Sequence, residues 1–269
     1  MENRLAGVQI KIIRGLEHLQ ALHEKGREFL DKKPYGCRFE PYLDERRERR
    51  VRARVAISAD PPVGLGLLAG EAVYHLRGAL DHLVYQLALL NKTQPRGTQF
   101  PLALDEAQYR APPAPGKKSP RDAVLDGVSK THRAIIDEFQ PYHDGARAKQ
   151  NPLYVLSQFA NADKHRLIQT AYGRPHSVKV EPTVEGIDLD LRIATPRPPV
   201  EDGAEVFSVR WIDGYADVPM KWGFQMRLIY GAELPDYVSR HYLVGAGMRV
   251  HEVVKCFMDV VPEFGGKGM

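Results

Sequence analysis

Cysteine is scarce in this chain: Cys37 and Cys256 are the two among 269 residues, in distant segments. Two thiols so placed make no disulfide framework and no CxxC metal signature, so a reducing cytoplasm is the expected setting. Long hydrophobic runs are missing as well. The apolar stretches fall far short of the roughly 20 residues that span a bilayer. The opening Met1-Glu2-Asn3-Arg4 lacks the apolar centre of a secretion signal, and no membrane partner is expected. The phosphate loop GxxxxGK[ST], the dinucleotide fingerprint GxGxxG and the nucleophile elbow GxSxG are all absent, which sets aside several large enzyme classes. Charge of one sign is lacking too. With 38 Lys and Arg against 34 Asp and Glu, the net charge of +4 permits an anionic partner without requiring one.

What is present is a hydrophobic fraction of 43%, enough for a sizeable core in one large domain or two small ones. Residues 4–31 predict an amphipathic helix, with Leu5, Val8, Ile12, Leu16, Leu19 and Leu22 spaced at threes and fours before Pro34 and Gly36. A hairpin is expected next, with strands near "CRFEPYL" and "RVRARVAI" and a turn in "DERRE". Val51, Ala53, Val55 and Ile57 alternate with Arg50, Arg52 and Arg54. Helices are expected at 67–90, 122–139 and 152–166, the last capped by Asn151 with Pro152 in its first turn. After 166 the period changes. "GIDLDLRIA" sends Ile187, Leu189, Leu191 and Ile193 one way, and "EVFSVRWI" and "KWGFQMRLIY" are further strands. A final helix covers 236–261.

The expected fold class is α+β. A helical bundle (4–31, 67–90, 122–166, 236–261) carries an N-terminal β-hairpin, and a mostly antiparallel sheet is inserted before the C-terminal helix. The sheet segments are about 37–58 and 167–231, and the whole chain, 1–269, is expected to be a single domain.

The segment "HLRGALDHLVYQL", residues 75–87, mixes an apolar stripe with a dense polar strip. Glu71, His75, Gly78 and His82 recur at i, i+4, i+7 and i+11 and so share a helix face. Tyr74, Arg77 and Asp81 form the adjoining row. Gly78 leaves a gap in side-chain bulk where a substrate or another helix would fit. A second polar cluster, "NADKHR", places Asn161, Asp163, Lys164, His165 and Arg166 at the end of another helix. If the two helices pack together, the clusters meet. Plain structure offers its own account: Arg77 and Asp81 have the spacing of an ordinary helix ion pair, and cations at a helix C-terminus complement its dipole.

Arg77 and His82 make an R-x4-H motif on a bundle helix. This resembles the HEPN superfamily of bacterial nucleotide-binding and ribonuclease proteins. The resemblance implies metal-independent RNA cleavage in a cleft commonly formed across a homodimer. Arg77 would stabilise phosphate charge and His82 would assist proton transfer. Gly78 and the large sheet depart from that family's pattern. Over about half of the chain, "LRGALDHLVYQL", "TQFPL", "FQPY" and "NADKHR" also resemble a group of uncharacterised bacterial proteins with an LRxALDH helix and a NxDKHR helix. That likeness implies one shared site but supplies no activity.

Three functions are therefore open. In the first, a ribonuclease or nucleotide-acting enzyme uses Arg77, His82, Asp81, Lys164 and His165 in catalysis, with Glu71, His75, Asn161, Asp163 and Arg166 binding. The arginines of the hairpin, Arg46, Arg47, Arg49, Arg50, Arg52 and Arg54, would track an RNA backbone, although Glu45 and Glu48 interrupt them. In the second, a bundle metalloenzyme holds zinc or iron through Glu71, His75, His82 and His165; neither HExxH nor paired ExxH supports it, and Arg77 would repel the cation. In the third, the same cations bind an anion or a protein partner without chemistry, or form an internal network that fixes helix register.

Overall fold

A computed structural model describes residues 4–91, 94–113, 115–183, 188–211, 220–231 and 238–264. The fold is α+β, and the described residues divide into two compact units.

The first unit comprises Met1–Leu22, Leu67–Ile168 and His241–Met269. Its long helices are α1 (Ala6–Asp31), α2 (Val63–Leu89), α6 (Pro152–Asp163) and α7 (Arg240–Val260), of which α1, α2 and α7 also supply a few residues to the second unit. Their buried stripes follow the helical repeat: Leu5, Val8, Ile12 and Leu19 on α1, and Leu76, Leu80, Leu83 and Leu87 on α2. Glycines let the helices close up. A Cβ on Gly15 would stand 2.7 Å from Leu76 Cγ, and one on Gly247 would stand 3.2 Å from Leu16 Cδ2. Three short helices lie between α2 and α6: α3 (Glu106–Tyr109), α4 (Pro120–Val124) and α5 (Lys130–Glu138). The single helix expected over 122–139 is thus two. Leu125 ends α4, Gly127 takes a positive φ of 80°, and Ser129 caps a new start by accepting from the His132 N–H. A 3-10 stretch, Pro141–Gln150, leads into α6, where Asn151 Oδ1 accepts from the Leu153 and Tyr154 N–H groups.

The second unit comprises His23–Gly66 and Gln169–Arg240. Strands β1 (Tyr35–Leu43) and β2 (Arg49–Ile57) form the expected hairpin, in register from Tyr35 opposite Ile57 to Leu43 opposite Arg49. With β4 (Leu189–Ile193) and β5 (Glu205–Trp211) they make a four-stranded antiparallel sheet in the order β1-β2-β5-β4. Strands β3 (Thr170–Pro182), β6 (Met220–Tyr230) and β7 (Val238–Ser239) make a second sheet in the order β3-β6-β7. One face of the first sheet is apolar: Ala53, Val55, Phe207 and Val209 are buried there. Phe39 meets both Phe207 and Trp222 edge-on, which joins the two sheets by aromatic contact. The expectation for Ile187 and the start of the last helix at 236 lie outside the described residues; α7 itself begins at Arg240, after β7. Among the described residues, no helix is long and apolar enough to cross a membrane.

Candidate functional site

The polar strip of α2 faces α1. Gly7, Lys11, Arg14 and His18 recur on α1 at the spacing of Glu71, His75, Gly78 and His82 on α2, and the two rows run in opposite directions. At one end, a Cβ on Gly7 would stand 3.8 Å from His82 Nδ1. In the middle, the Lys11 ammonium fills the notch at Gly78, where a Cβ would stand 3.1 Å from Nζ. At the other end, His18 Nδ1 lies 3.2 Å from Glu71 Oε2. The rings of His18 and His75 stack at 5.4 Å with only 7° between their planes. Another helix, through its lysine, occupies the gap left by Gly78.

Lys11 is the common neighbour of this face. It lies 5.2 Å from the ring centroid of Tyr74, which meets His75 edge-on. Partial burial holds the His75 imidazole below its ordinary value, and Lys11, His18 and Arg14 push the same way against Glu71. Partial burial and then Lys11 hold His82 down as well, against the pull of Asp81. Both rings are therefore neutral near pH 7. His75 Nδ1 is buried without a hydrogen-bond partner among the described residues. The result is a surface with an ammonium at the Gly78 notch, a neutral imidazole to either side along α2, and a carboxylate-paired histidine one turn away. Such a set can take an anion and move protons.

Arg77 and Asp81 do something else. Their side chains are largely buried, at 16% and 28% exposure, and lie 2.9 Å apart. Arg77 Nη2 donates to the Phe100 carbonyl at 2.8 Å, and the Phe100 N–H donates to Asp81 Oδ1 at 2.9 Å. Phe100 itself is 1% exposed. From the other side, Gln140 Nε2 donates to the Pro101 carbonyl at 2.9 Å, and the Ala103 N–H donates to Gln140 Oε1 at 3.0 Å. The Tyr142 N–H closes the set on the Ala103 carbonyl at 3.1 Å. The pieces "LRGALDH", "TQFPL" and "FQPY" thus meet as a strap. Side-chain hydrogen bonds replace a strand partner along residues 100–103. Burial lowers the Arg77 pKa against the pull of Asp81, and Nη1 is buried without a partner among the described residues.

Five positions apart on a helix is about 500°. Arg77 therefore turns toward the strap while His82 turns toward α1. The two side chains thus leave α2 about 140° apart, Arg77 engaged with the strap and His82 beside α1.

The second cluster meets the first at one residue. Asp163 lies over Gly70, so close that a Cβ at residue 70 would collide with its carboxylate. Burial and then the charge of Glu71 raise the Asp163 pKa. Asn161, Lys164, His165 and Arg166 are exposed. Lys164 Nζ lies 3.4 Å from Asn161 Oδ1. Among the described residues, no side-chain hydrogen bond or ion pair joins His165 or Arg166 to the α2 strip. Nor do any three His, Cys, Asp or Glu side chains group to hold a metal ion. Glu71, His75, His82 and His165 therefore do not assemble as the ligand set for zinc or iron.

In the second unit, three of the six hairpin arginines, Arg50, Arg52 and Arg54, are held in ion pairs, while Arg46, Arg47 and Arg49 are exposed. Glu40 Oε2 accepts from Arg52 Nε at 3.2 Å and from Arg54 Nε at 2.9 Å. Arg50, with its side chain fully buried, lies 2.5 Å from Asp190 Oδ2 and donates to the Asp190 carbonyl at 2.9 Å. Arg38 pairs with Asp202 at 2.7 Å, and Arg210 with Glu48 at 2.9 Å. Along the strands, these guanidinium groups already face carboxylates.

Compared with known proteins, the chain matches no family model, no curated protein and no solved structure. Lys11, Arg14 and His18 were not among the residues singled out from sequence. Their spacing on the polar flank of α1 repeats that of the α2 strip, and this is the signal that would have found them.

Proposed function

We propose that the chain is a cytoplasmic, metal-independent enzyme acting on a phosphodiester, with RNA as the substrate, at the face shared by α1 and α2. The observation that carries this reading is the Lys11 ammonium at the Gly78 notch, where its charge acts on both His75 and His82. Lys11 would bind the non-bridging oxygens of the phosphate. One neutral imidazole would take the proton from the attacking 2′-hydroxyl. The other, once protonated, would give a proton to the departing 5′-oxygen, leaving a 2′,3′-cyclic phosphate. Glu71 orients His18, which stacks on His75 and fixes its plane.

The reading keeps the proton-transfer role that the HEPN resemblance implies for His82. It moves the charge-stabilising role from Arg77 to Lys11, because Arg77 is committed to Asp81 and the Phe100 carbonyl. The homodimer implied by that resemblance remains part of the proposal, and sedimentation of the purified protein tests it. The activity test is cleavage of a short RNA with a chelator present. Wild type is expected to cut, and K11M, H75A and H82A to lose about a hundredfold or more. Cleavage that stops on chelation, or that survives in all three variants, overturns the proposal.

A further inference from the structure

The outer crest of α2 carries two aromatic rings that core packing does not explain. Tyr74 is 61% exposed and Tyr85 is 41% exposed, on a helix whose opposite side is fully buried. Eleven residues separate them, which on an α-helix is about 20° of rotation and about 16 Å of rise. They therefore share one line along the surface. Gly78, with the Lys11 ammonium above it, lies between them, and His82 flanks the same line. Lys11 is 5.2 Å from the Tyr74 ring centroid, so cation and ring form one continuous surface. Tyr85 has no ring neighbour among the described residues. Asp81 also falls on this line, but its carboxylate pairs with Arg77 and accepts from the Phe100 N–H, so the exposed groups run aromatic, cation, aromatic.

That alternation is the chemistry of single-stranded nucleic acid. Bases stack on exposed rings whatever their sequence, and the phosphates between them need a cation. A duplex keeps its bases stacked inside and offers nothing to the tyrosines. A lone phosphate or a free nucleotide would not use two rings so far apart.

We infer that Tyr74 and Tyr85 form a stacking platform that selects unpaired nucleic acid and lays one phosphate of the strand at Lys11. This rests on the phosphodiester reading above and adds to it the substrate class and the residues that select it. The two tyrosines are specificity residues, outside the proton-transfer set.

The test is binding, so it does not depend on cleavage. Fluorescence anisotropy is measured at low salt with a single-stranded DNA decamer, which lacks the attacking hydroxyl. The comparison probes are the same decamer in a duplex and an abasic decamer with the same number of phosphates. Tyr74 and Tyr85 are on the surface, so Y74A and Y85A will fold. Each is expected to weaken the single strand about tenfold, in keeping with what one stacked base contributes. Neither should change binding of the abasic strand, and Y74W should bind as wild type does. K11M is expected to weaken both single strands.

If Y74A and Y85A bind the decamer as wild type does while K11M fails, the platform is overturned and the phosphate reading stands. If the duplex binds as tightly as the single strand, the platform is likewise overturned. If all variants, K11M included, bind like wild type, both readings fall.

Discussion

Lys11 and Gly78 share one notch: a Cβ at residue 78 would stand 3.1 Å from Lys11 Nζ, across the contact between two helices. The glycine is thus a place for a cation. Gly78→Ala separates the two consequences. A methyl group in a helix interior gains about 1 kcal/mol of helix propensity, and Nζ is the mobile end of a long side chain that can swing away. The variant is expected to be more stable than wild type by about 0.5–1 kcal/mol in urea denaturation, while its affinity for the single-stranded decamer falls. A variant that is both less stable and equally active would mean that the notch serves packing alone.

The strap predicts a loss of a different kind. Asp81→Ala strips the partner from a largely buried guanidinium and leaves the Phe100 N–H unanswered. Removing one member of such a pair costs about 3 kcal/mol. Arg77→Lys cannot reproduce the fork that reaches both Asp81 and the Phe100 carbonyl, and should also destabilise. Chemical denaturation measures both variants. If either lost activity with full stability, Arg77 would belong to the reaction after all.

Much of the fold was legible in the sequence. The apolar repeat gave Leu76, Leu80, Leu83 and Leu87 as the buried side of α2, and all four are below 2% exposure. The alternation of Val51, Ala53 and Val55 with Arg50, Arg52 and Arg54 gave the two faces of β2. The site was harder to read because it belongs to two helices. Periodicity describes one element at a time, so Glu71, His75 and His82 could be placed on a face, but nothing in their own segment named His18 or Lys11 as what lies opposite. Arg77 misled for a related reason. Its tertiary partner is a backbone carbonyl in a segment without regular structure, and carbonyls leave no mark in a sequence. Asp163 was recognisable as part of a polar cluster. Only the packing of α6 on Gly70 separates it from Lys164, His165 and Arg166, which stay exposed.

The titrating groups give a pH dependence whose sign can be worked out. His75 and His82 are held below the usual 6.5. Once the pH falls below that value, the unfolded chain binds more protons than the folded one, so stability drops with falling pH. Above it the contribution is complete. Asp163 runs the other way, because its folded pKa lies above the usual 3.8. Its contribution is full below that value and is lost as pH rises through the folded pKa. Asp163→Asn is therefore expected to raise Tm near neutral pH, with the gap to wild type closing in acid. His82→Gln should flatten the fall in Tm between about pH 6.5 and 5. A gap for Asp163→Asn that does not change with pH would mean that its charge is not what burial and Glu71 oppose.

The hairpin supplies the last prediction. Six of the chain's arginines lie within residues 46–54, and charge alone would make this segment the RNA-binding element. Ion pairs argue against it. Arg52 and Arg54 share Glu40, and Arg50 is closed in with Asp190. A phosphate arriving at these three must displace a carboxylate already in place; Arg46, Arg47 and Arg49, near the turn, are exposed. Replacing Arg52 and Arg54 together by Gln is therefore expected to leave decamer affinity, and its slope against salt, close to wild type. Lys11→Met should lower that slope by about one phosphate contact. Glu40→Gln frees two guanidinium groups at once, and should lengthen retention on a polyanionic resin although it adds no basic residue. If the double Gln variant loses the decamer as Lys11→Met does, the strand crosses this sheet, and the ion pairs open on binding.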